Sequence, residues 1–412
     1  MTKPIVIVGA GQAAASFISR YIMHADRLPV LLIGEEPTPP YQRPPLSKKY
    51  LSGEFQRGRL WIRQSHWYHE HGIETRFGTR ITQLMPEKNY IITDSGESIE
   101  YEKLILCTGS KARCLPKTLG GSLEGVLTLR SLNDADNLST YLNSRHRLVI
   151  IGGGYIGLEI AATARTLGHA VTVIEIAKRI LQRVASEETS EYFRALHKDH
   201  GVNILESTGL TRIFGKGEVV QGVELNQGER IEADAVLVGI GATPNTELAN
   251  SAGIDCDNGI AINETCQTSI PNIYAAGDCT SFIRNGQRIR LESVQNAADQ
   301  GDLIARILSG KNDQYTSTPW FWSEQYDCML QIAGLSQGYT QTTIRKNSRT
   351  GGQSVWYYQN NQLIAVDAMN DTKSYAFGRR MIEMGIHPSL DQISDEATDL
   401  KVLLQTGQKS RK

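Results

Sequence analysis

The chain contains 412 residues, which is too many for one ordinary hydrophobic core and predicts two or three domains. Its 40% hydrophobic and 21% charged residues are typical of soluble globular proteins, and the formal net charge of −1 does not favour general binding to nucleic acid. No apolar run approaches the ~20 residues that a membrane-spanning helix requires, so we expect no membrane partner.

The first predicted elements begin almost at the N-terminus. The segment "PIVIVGAG" predicts a strand that breaks into glycines, followed by a helix near residues 12–24 and a second strand over residues 30–36. Because the first strand starts so early, we expect no signal peptide. Alternating strands and helices of this kind predict a parallel sheet that is covered on both faces.

The turn after the first strand has the spacing of a dinucleotide-binding site. It reads Gly9-x-Gly11-x-x-Ala14, and Glu35 or Glu36 ends the following strand. Glycine is needed because a pyrophosphate must approach the backbone N–H groups at the helix N-terminus, where a side chain would obstruct it. The acidic residue is expected to accept hydrogen bonds from a ribose.

The same pattern recurs in the middle of the chain. The strand "RLVIIGGG" precedes a helix near residues 155–167 and a strand over residues 170–175. The glycines of this turn and the acid after it are Gly152, Gly154, Gly157 and Glu175. A lone glycine turn is weak evidence, but both turns here have the strand, the helix and the acid. We therefore predict an α/β fold with two Rossmann-like domains that bind FAD and a nicotinamide nucleotide, between which a hydride passes.

The acid of the second turn also bears on the nicotinamide nucleotide. A carboxylate at Glu175 would repel the 2′-phosphate of NADP, so we expect NADH to be the donor. Lys178 and Arg179 follow closely and would suit a phosphate, although a solvated helix start explains them equally well.

Further along the chain the pattern of elements changes. Buried strands that each end in a glycine turn are predicted over residues 101–110, 233–245 and 270–279. From about Pro319 onward, short aromatic-rich strands and a final helical stretch predict an antiparallel α+β domain.

Cysteine and histidine usage argues against a disulfide or metal centre. None of the six cysteines forms a Cys-x-x-Cys pair, and "EEPTPPYQRPPLSKKY" after the first βαβ unit contains none, which disfavours a disulfide reductase or a peroxide- or oxygen-reducing NADH oxidase. Free thiols are typical of a reducing cytoplasm, where we expect the protein to lie. The histidines in "HWYHEH" lack a cysteine or acidic ligand paired with them, so we assign no metal.

Six segments, in order along the chain, resemble the putidaredoxin reductase family of NADH-dependent ferredoxin and rubredoxin reductases, which supply electrons to bacterial monooxygenases and dioxygenases. They are "RPPLSKKYLSG" (43–53), "GGGYIGLEIAATA" (152–164), "GIGATPNTELA" (239–249), "NIYAAGDC" (272–279), "ESVQNAADQG" (292–301) and "PWFWSEQY" (319–326). The resemblance implies a glutathione-reductase-like architecture. Its FAD domain would comprise residues 1–113 and 241–320, its NADH domain residues 114–240, and its C-terminal α+β domain residues 321–412.

The resemblance also implies three catalytic residues. The Lys48 ammonium is expected near flavin N5, where it stabilises negative charge on reduced flavin, and Glu159 is expected to pair with it beside the nicotinamide. Tyr155 is expected to gate the site or to stack near the flavin. From the residues alone, Lys48 would be an exposed lysine and Glu159 a helix-surface acid, while packing in the first turn of the helix explains Tyr155 equally well.

The remaining predicted cofactor contacts rest on the same resemblance. It selects Glu35 as the ribose ligand and places Asp278, at the start of a helix-like segment, on the ribityl chain of FAD. Trp322 is expected by the flavin or on the electron route, although core packing would explain either Trp320 or Trp322. Further predicted contacts are Ala13, Ile81, Arg130, Ile156, Gly241 and Val294.

These expectations define a reaction and a partner. Electrons would pass from NADH through FAD to a [2Fe–2S] ferredoxin that serves an oxygenase; the alternatives are a rubredoxin reductase and a redox-sensing flavoprotein like apoptosis-inducing factor. Such carriers are usually acidic, so Arg284, Arg288 and Arg290 are a candidate docking patch. Solvated loops explain these arginines equally well, and the segment "RGRLWIR" offers a second basic patch.

Overall fold

The computed structural model describes residues 2–144, 147–347 and 351–409. These residues form two compact units. The first comprises the described residues up to Arg43 together with Gln56–Lys111 and Ala242–Ser317, and the second comprises Pro44–Phe55, the described part of Ala112–Gly241, and that from Thr318 onward. The three domain boundaries predicted above stay a prediction.

The secondary structure alternates strands and helices before it becomes mainly antiparallel. The strands are β1 Ile5–Val8, β2 Val30–Gly34, β3 Ile73–Phe77, β4 Ile81–Met85, β5 Tyr90–Thr93, β6 Ser98–Glu100, β7 Lys103–Leu106, β8 Ser110–Ala112, β9 Val126–Leu127, β10 Arg147–Ile151, β11 Ala170–Ile174, β12 Asn203–Leu205, β13 Leu210–Lys216, β14 Val219–Leu225, β15 Arg230–Glu232, β16 Ala235–Val238, β17 Ala242–Pro244, β18 Ile260–Ala261, β19 Ile273–Ala275, β20 Thr280–Arg284, β21 Gln287–Ile289, β22 Trp320–Gln325, β23 Cys328–Gly334, β24 Gln341–Asn347, β25 Gly352–Gln359 and β26 Gln362–Met369. The helices are α1 Gln12–Tyr21, α2 Ser65–Glu70, α3 Leu132–Ser144, α4 Tyr155–Thr166, α5 Glu187–Asp199, α6 Glu247–Ser251, α7 Val294–Leu308, α8 Thr372–Met384, α9 Leu390–Ser394 and α10 Leu400–Lys409.

The first unit is built on a parallel sheet in the order β3-β2-β1-β7-β19. All four residues of β1 are buried, as is usual for a parallel strand that is covered on both faces. Helices α1 and α7 pack closely against each other. The glycine at position 301 of α7 permits this approach, since any side chain there would collide with the carbonyl oxygen of Ala13 of α1. A side chain at Gly277, in the turn after β19, would contact both Ala13 and Ala297, so the first turns of α1 and α7 meet at this turn.

The second unit contains a parallel sheet of the same design, in the order β12-β11-β10-β16-β9. In both sheets the strand before the glycine turn, β1 or β10, is central, and the chain proceeds first to one side of it and later to the other. Ligands bind at such a switch point, outside the carboxyl ends of the strands. Both glycine turns lie at that position.

The C-terminal part of the second unit is an antiparallel sheet in the order β22-β23-β26-β25-β24, which α8 covers on one side. Its interior is aromatic, with Trp356, Tyr357 and Tyr358 almost fully buried in succession along β25. The α+β domain predicted from about Pro319 onward has this antiparallel character.

Two local predictions differ from the structure. Helix α1 ends at Tyr21, three residues before the predicted end. The prediction of a helix-like segment at Asp278 was wrong. Gly277 adopts a φ of +87° in a turn, and the chain then enters β20. Among the described residues, no helix has both the length and the apolar character needed to cross a membrane.

Candidate functional site

The first glycine turn forms an open helix N-terminus. Gly9 has a φ of +108°, and a side chain there would collide with the carbonyl oxygen of Cys107, so only glycine fits. Gly11 is the N-cap of α1, and no described atom lies within 4 Å of the place that a Cβ would take. The first N–H groups of α1 therefore point into open space, as a pyrophosphate requires.

The structure distinguishes the two acids that follow this turn. Glu36 accepts hydrogen bonds from the Tyr41 hydroxyl at 2.7 Å and from the Arg43 guanidinium at 2.8 Å. The Glu35 side chain is 73% exposed, and its Oε1 lies 3.8 Å from the Nε of the exposed Arg80. Glu35 is therefore the acid that remains open to a ribose, and its role stays a prediction.

The other predicted FAD contacts of the first unit lie on several of its elements. Ala13 and Ala14 are buried in the first turn of α1, and Val294 is the first residue of α7. Asp278 lies in the turn after β19, where it accepts a hydrogen bond from the Ser110 hydroxyl at 3.5 Å. Ile81 begins β4, directly after Arg80.

The second glycine turn repeats this geometry. Gly152 has a φ of +109°, and a side chain there would collide with the Gly239 carbonyl, while a side chain at Gly157 would collide with the Gly152 carbonyl. Gly154 is the N-cap of α4 and again has no described atom within 4 Å of its absent Cβ. Both turns thus fit a dinucleotide pyrophosphate.

Glu175 is fixed beside the second turn. One carboxylate oxygen accepts a hydrogen bond from the Gly153 N–H at 2.7 Å, and the other accepts one from the Ala177 N–H at 2.8 Å. Arg179 donates instead to the carbonyl oxygens of Ala185 at 2.9 Å and Ser186 at 3.0 Å, so it is held within the protein. The Glu175 carboxylate is therefore held directly beside the glycines of the second turn.

Replacing Gly154 with alanine is expected to weaken nicotinamide nucleotide binding by about tenfold, which corresponds to ~1.4 kcal/mol. The added methyl group would occupy the open space over the helix N-terminus. Its φ of −83° and ψ of 179° suit alanine, so thermal stability should not change. Titration of the holoenzyme with NAD⁺ measures the effect, and Gly58→Ala, at an exposed glycine with similarly open surroundings, is the control. Unchanged affinity in Gly154→Ala would contradict a pyrophosphate at this turn.

Lys48 and Glu159 form a buried ion pair within the second unit. The Lys48 Nζ lies 2.7 Å from the Glu159 Oε2, and the two side chains are 11% and 2% exposed. The ammonium also donates to the Pro44 carbonyl oxygen at 3.2 Å. The pairing that the resemblance implies is therefore present, while its catalytic role stays a prediction.

Two serines complete the surroundings of the Glu159 carboxylate. The Ser47 hydroxyl donates to Oε2 at 2.6 Å, and the Ser323 hydroxyl donates to Oε1 at 2.7 Å. Tyr155, Glu159 and Thr163 lie on one face of α4, because residues four apart share a face. This face meets β22 and the 44–47 turn, where Thr163 donates to the Ser47 carbonyl at 2.7 Å.

The Tyr155 ring packs against Phe321 of β22, beside the Lys48–Glu159 pair. Its ring centroid lies 5.0 Å from that of Phe321. Its hydroxyl is buried and has no hydrogen-bond partner among the described residues, and burial raises the pKa of Tyr155 well above the usual range. Ile156, the next residue, is 46% exposed at the open end of α4.

Three more predicted contacts lie in the second unit but apart from the Lys48 pair. Trp322 lies on the face of β22 opposite Ser323, with its ring 5.5 Å from that of Trp320. Arg130 precedes α3, and its backbone N–H donates to Asp134. Gly241, with a φ of +100°, lies next to the guanidinium of Arg183.

Sequence reasoning missed three residues that shape the site, namely Ser47, Phe321 and Ser323. The period of two in "PWFWSEQY" was the available signal, because it places Phe321, Ser323 and Gln325 on the strand face opposite the tryptophans. Ser47 is adjacent to Lys48, and its position gave no comparable signal.

The cysteines form no redox pair. All six lie within the described residues and are free. Burial raises the pKa of Cys107, Cys266 and Cys279, so these thiols stay protonated and unreactive. These three thiols are therefore poorly suited to disulfide exchange.

Comparisons with known proteins agree with this architecture. The pyridine nucleotide-disulphide oxidoreductase family model matches residues 3–301, and a reductase C-terminal model matches residues 320–404. The chain is 40% identical to a ferredoxin–NAD(P)(+) reductase of Sphingomonas sp. over 92% of each chain, and 36% identical to putidaredoxin reductase of Pseudomonas putida over 97% of this chain and 96% of that protein. A solved covalent putidaredoxin reductase–putidaredoxin complex matches with a TM-score of 0.94 and 35% identity, covering 98% of this chain and 99% of that one.

These matches confirm the resemblance noted in the sequence and the predicted fold class. The two glycine turns fit the binding of two dinucleotides. The chain therefore belongs to the pyridine nucleotide-disulphide oxidoreductase family and is a flavoprotein oxidoreductase that uses FAD and NAD(P)H.

Proposed function

We propose that the protein transfers electrons from NADH through FAD to a small [2Fe–2S] ferredoxin that serves a monooxygenase or dioxygenase. The observation that carries the proposal is the similarity over nearly the full length to putidaredoxin reductase, including the chain that was solved in complex with putidaredoxin. Two glycine turns of equal geometry in one chain support the pairing of two dinucleotides.

The residues of this chain would bind and prepare the cofactors. When bound, FAD supplies the step from a two-electron hydride donor to a one-electron acceptor. Gly9 and Gly11 would hold the pyrophosphate of FAD, and Glu35 would bind the ribose of its adenosine. Gly154 and Glu175 would hold the nicotinamide nucleotide. Lys48, oriented by Glu159, would place a positive charge where reduction adds negative charge.

The proposal is tested with the purified holoenzyme under anaerobic conditions. NADH is expected to bleach the flavin absorbance, and cytochrome c reduction should then depend on added [2Fe–2S] ferredoxin. Flavin that stays oxidised in excess NADH would contradict the proposal. Strong reduction of rubredoxin but not ferredoxin would overturn the acceptor, and a long-lived reduced flavin–NAD complex with poor turnover on either carrier would favour a redox-sensing flavoprotein.

The preference for NADH over NADPH is expected to depend on Glu175. Its carboxylate is fixed at the second turn, where a 2′-phosphate would meet like charge. Glu175→Gln should raise the ratio of kcat/KM for NADPH to that for NADH by about tenfold, which is equivalent to ~1.4 kcal/mol. Glu218→Gln, the same change at an exposed acid elsewhere in the second unit, is the control. A wild-type enzyme that uses both nucleotides equally would refute the preference.

We propose the hairpin of β20 and β21 as part of the carrier-docking surface. Ile283 is 57% exposed on it, beside Arg284 and Arg288. Arg288 lies 3.3 Å from Asp257, and Arg290 forms an ion pair with Glu292, so part of the positive charge is already balanced. Arg284 donates to the Ser317 carbonyl at 2.7 Å. An acidic carrier would thus meet an apolar residue flanked by partly neutralised arginines.

We also propose that the protein works in the cytoplasm. The support is the chemistry of its six free cysteines, four of which are buried thiols whose pKa burial raises. Reduced cysteines persist in reducing compartments.

A further inference from the structure

A continuous chain of hydrogen bonds leads from the Lys48–Glu159 pair to a buried histidine on α5. The Ser323 hydroxyl donates to Glu159, and the Gln325 side-chain amide lies 3.1 Å from Ser323. The Oε1 atom of the same Gln325 amide lies 2.8 Å from the His197 Nε2. The side chains of Glu159, Ser323, Gln325 and His197 are at most 2% exposed, so water does not compete for these bonds.

The position of each proton in this chain follows from the charge on Glu159. A carboxylate paired with Lys48 only accepts, so the Ser323 hydroxyl must donate to it and must in turn accept from Gln325. The Gln325 NH₂ group therefore faces Ser323, and its carbonyl oxygen faces His197. His197 consequently carries its proton on Nε2, because the amide oxygen cannot donate.

The far end of the chain agrees with this assignment. An imidazole protonated on Nε2 alone accepts at Nδ1, and the Tyr326 hydroxyl lies 3.4 Å from that atom. Burial raises the pKa of Tyr326 to about 12, so the hydroxyl keeps its proton and can donate. The Tyr326 ring also stacks on His200, with ring centroids 3.6 Å apart. All five donors, from Tyr326 to Lys48, thus point toward the Glu159 carboxylate.

We propose that His197 is a positioning residue for the Lys48–Glu159 pair, acting through Gln325 and Ser323 without touching substrate or cofactor. Aligned donors polarise one another, and a hydrogen bond to a carboxylate is about twice as strong as one between neutral groups. The chain thereby fixes Glu159 Oε1. Because the carboxylate is planar and rigid, this also orients Oε2, the oxygen that holds the Lys48 ammonium. The kinetic part of this inference rests on the proposed function, because it treats Lys48 as the group that assists flavin reduction.

The surroundings of His197 keep it in a single form. Burial lowers the pKa of His197 to about 4, against a smaller opposing contribution from the Gln325 hydrogen bond, so the ring is neutral at physiological pH. A protonated ring would place a proton on Nδ1 and remove the acceptor that Tyr326 uses. The neutral Nε2–H tautomer is the form that sustains the chain.

The first test is nitrogen NMR of the holoenzyme labelled with ¹⁵N-histidine. The protein has nine histidines, and the resonance that disappears in His197→Gln is that of His197. We expect a protonated Nε2 and an unprotonated Nδ1 between pH 5.5 and 8, a state that Gln325→Leu should perturb. A protonated Nδ1, or no response to Gln325→Leu, would overturn the proposal. This measurement is independent of turnover.

The second test compares three variants in anaerobic stopped-flow reduction of the bound flavin by NADH. His197→Phe removes the donor and should slow reduction by about tenfold, the loss expected for ~1.4 kcal/mol of charge-assisted hydrogen bonding. His197→Gln keeps an amide N–H near the Nε2 position and should recover most of the rate. Phe193→Leu, at a fully buried position on the same helix, is the packing control and should keep the wild-type rate.

The outcomes separate this inference from the proposed function. Equal rates in His197→Phe and Phe193→Leu would show that His197 only packs the core, and would overturn the positioning role. Failure of NADH to reduce the flavin in the wild-type enzyme would instead contradict the proposed function, and the tautomer of His197 would still decide whether the hydrogen-bond chain exists. If His197→Phe does not fold, the rate of Gln325→Leu replaces it.

Discussion

Replacing Lys48 with methionine is expected to slow flavin reduction by NADH at least a hundredfold, the usual effect of removing one preorganised stabilising donor. It should also lower the free energy of unfolding by roughly 3–5 kcal/mol, because it leaves a buried carboxylate without its partner. Glu159 is only 2% exposed, so water cannot replace the ammonium without rearrangement. Stopped-flow absorbance and urea unfolding measure the two effects.

The double variant Lys48→Met/Glu159→Gln separates the two roles of the pair. Removing the stranded charge should restore most of the stability, while flavin reduction should stay slow because the ammonium is still missing. Lys49→Met, at the adjacent exposed lysine, should match the wild type in both assays. Recovery of the reduction rate in the double variant would contradict a catalytic role for Lys48.

The parts of the site that rest on local spacing were predictable from the sequence. Each glycine turn is fixed by its own strand, helix and acid, so a short segment contains the whole signal. The Tyr155–Glu159 relation is also local, because residues four apart on α4 share a face. Glu36 shows the limit of such reasoning, since only its contacts with Tyr41 and Arg43 show that it is occupied within the protein.

The residues behind the Lys48 pair were not predictable in this way. Ser47, Ser323 and His197 are ordinary polar residues that are far from Glu159 in the sequence or lack a motif. They reach the Glu159 carboxylate or its hydrogen-bond chain only because the fold brings the 44–47 turn, β22 and α5 together, and no single segment encodes that contact. The expected helix at Asp278 failed for the opposite reason, because local composition suggested the start of a helix while the glycine turn led into a strand.

Asp367 is a second buried group that the sequence did not single out. It lies in β26, fully buried, and one carboxylate oxygen accepts hydrogen bonds from Tyr357 and, at 2.9 Å, from Thr189. The other oxygen has no partner among the described residues. Burial therefore raises the pKa of Asp367 to about 6, despite the hydrogen bonds that oppose the shift.

Asp367 and His197 are expected to affect the pH dependence of stability in opposite directions. Between about pH 4 and 6 the folded protein keeps a proton on Asp367 that the unfolded chain has lost, so this group's stabilisation declines as pH rises. Between about pH 4 and 6.5 the unfolded chain binds a proton on His197 that the folded protein excludes, so this group's destabilisation declines as pH rises. The two slopes largely cancel in the wild type.

Single variants should expose each slope. Relative to the wild type, Asp367→Asn should gain about 2–3 kcal/mol in the free energy of unfolding between pH 4.5 and 7.5, because a shift of one pKa unit is worth ~1.4 kcal/mol. The free energy of unfolding of His197→Gln should fall by a similar amount relative to the wild type over the same range. The wild type gains stability there as the histidine of its unfolded chain deprotonates, and the variant has no such group. Urea unfolding at intervals of half a pH unit measures the free energy of unfolding of all three proteins. Subtracting the wild-type value from that of each variant cancels the contributions of the titrating groups that the proteins share. Parallel curves for a variant and the wild type would contradict the buried, shifted state of that residue.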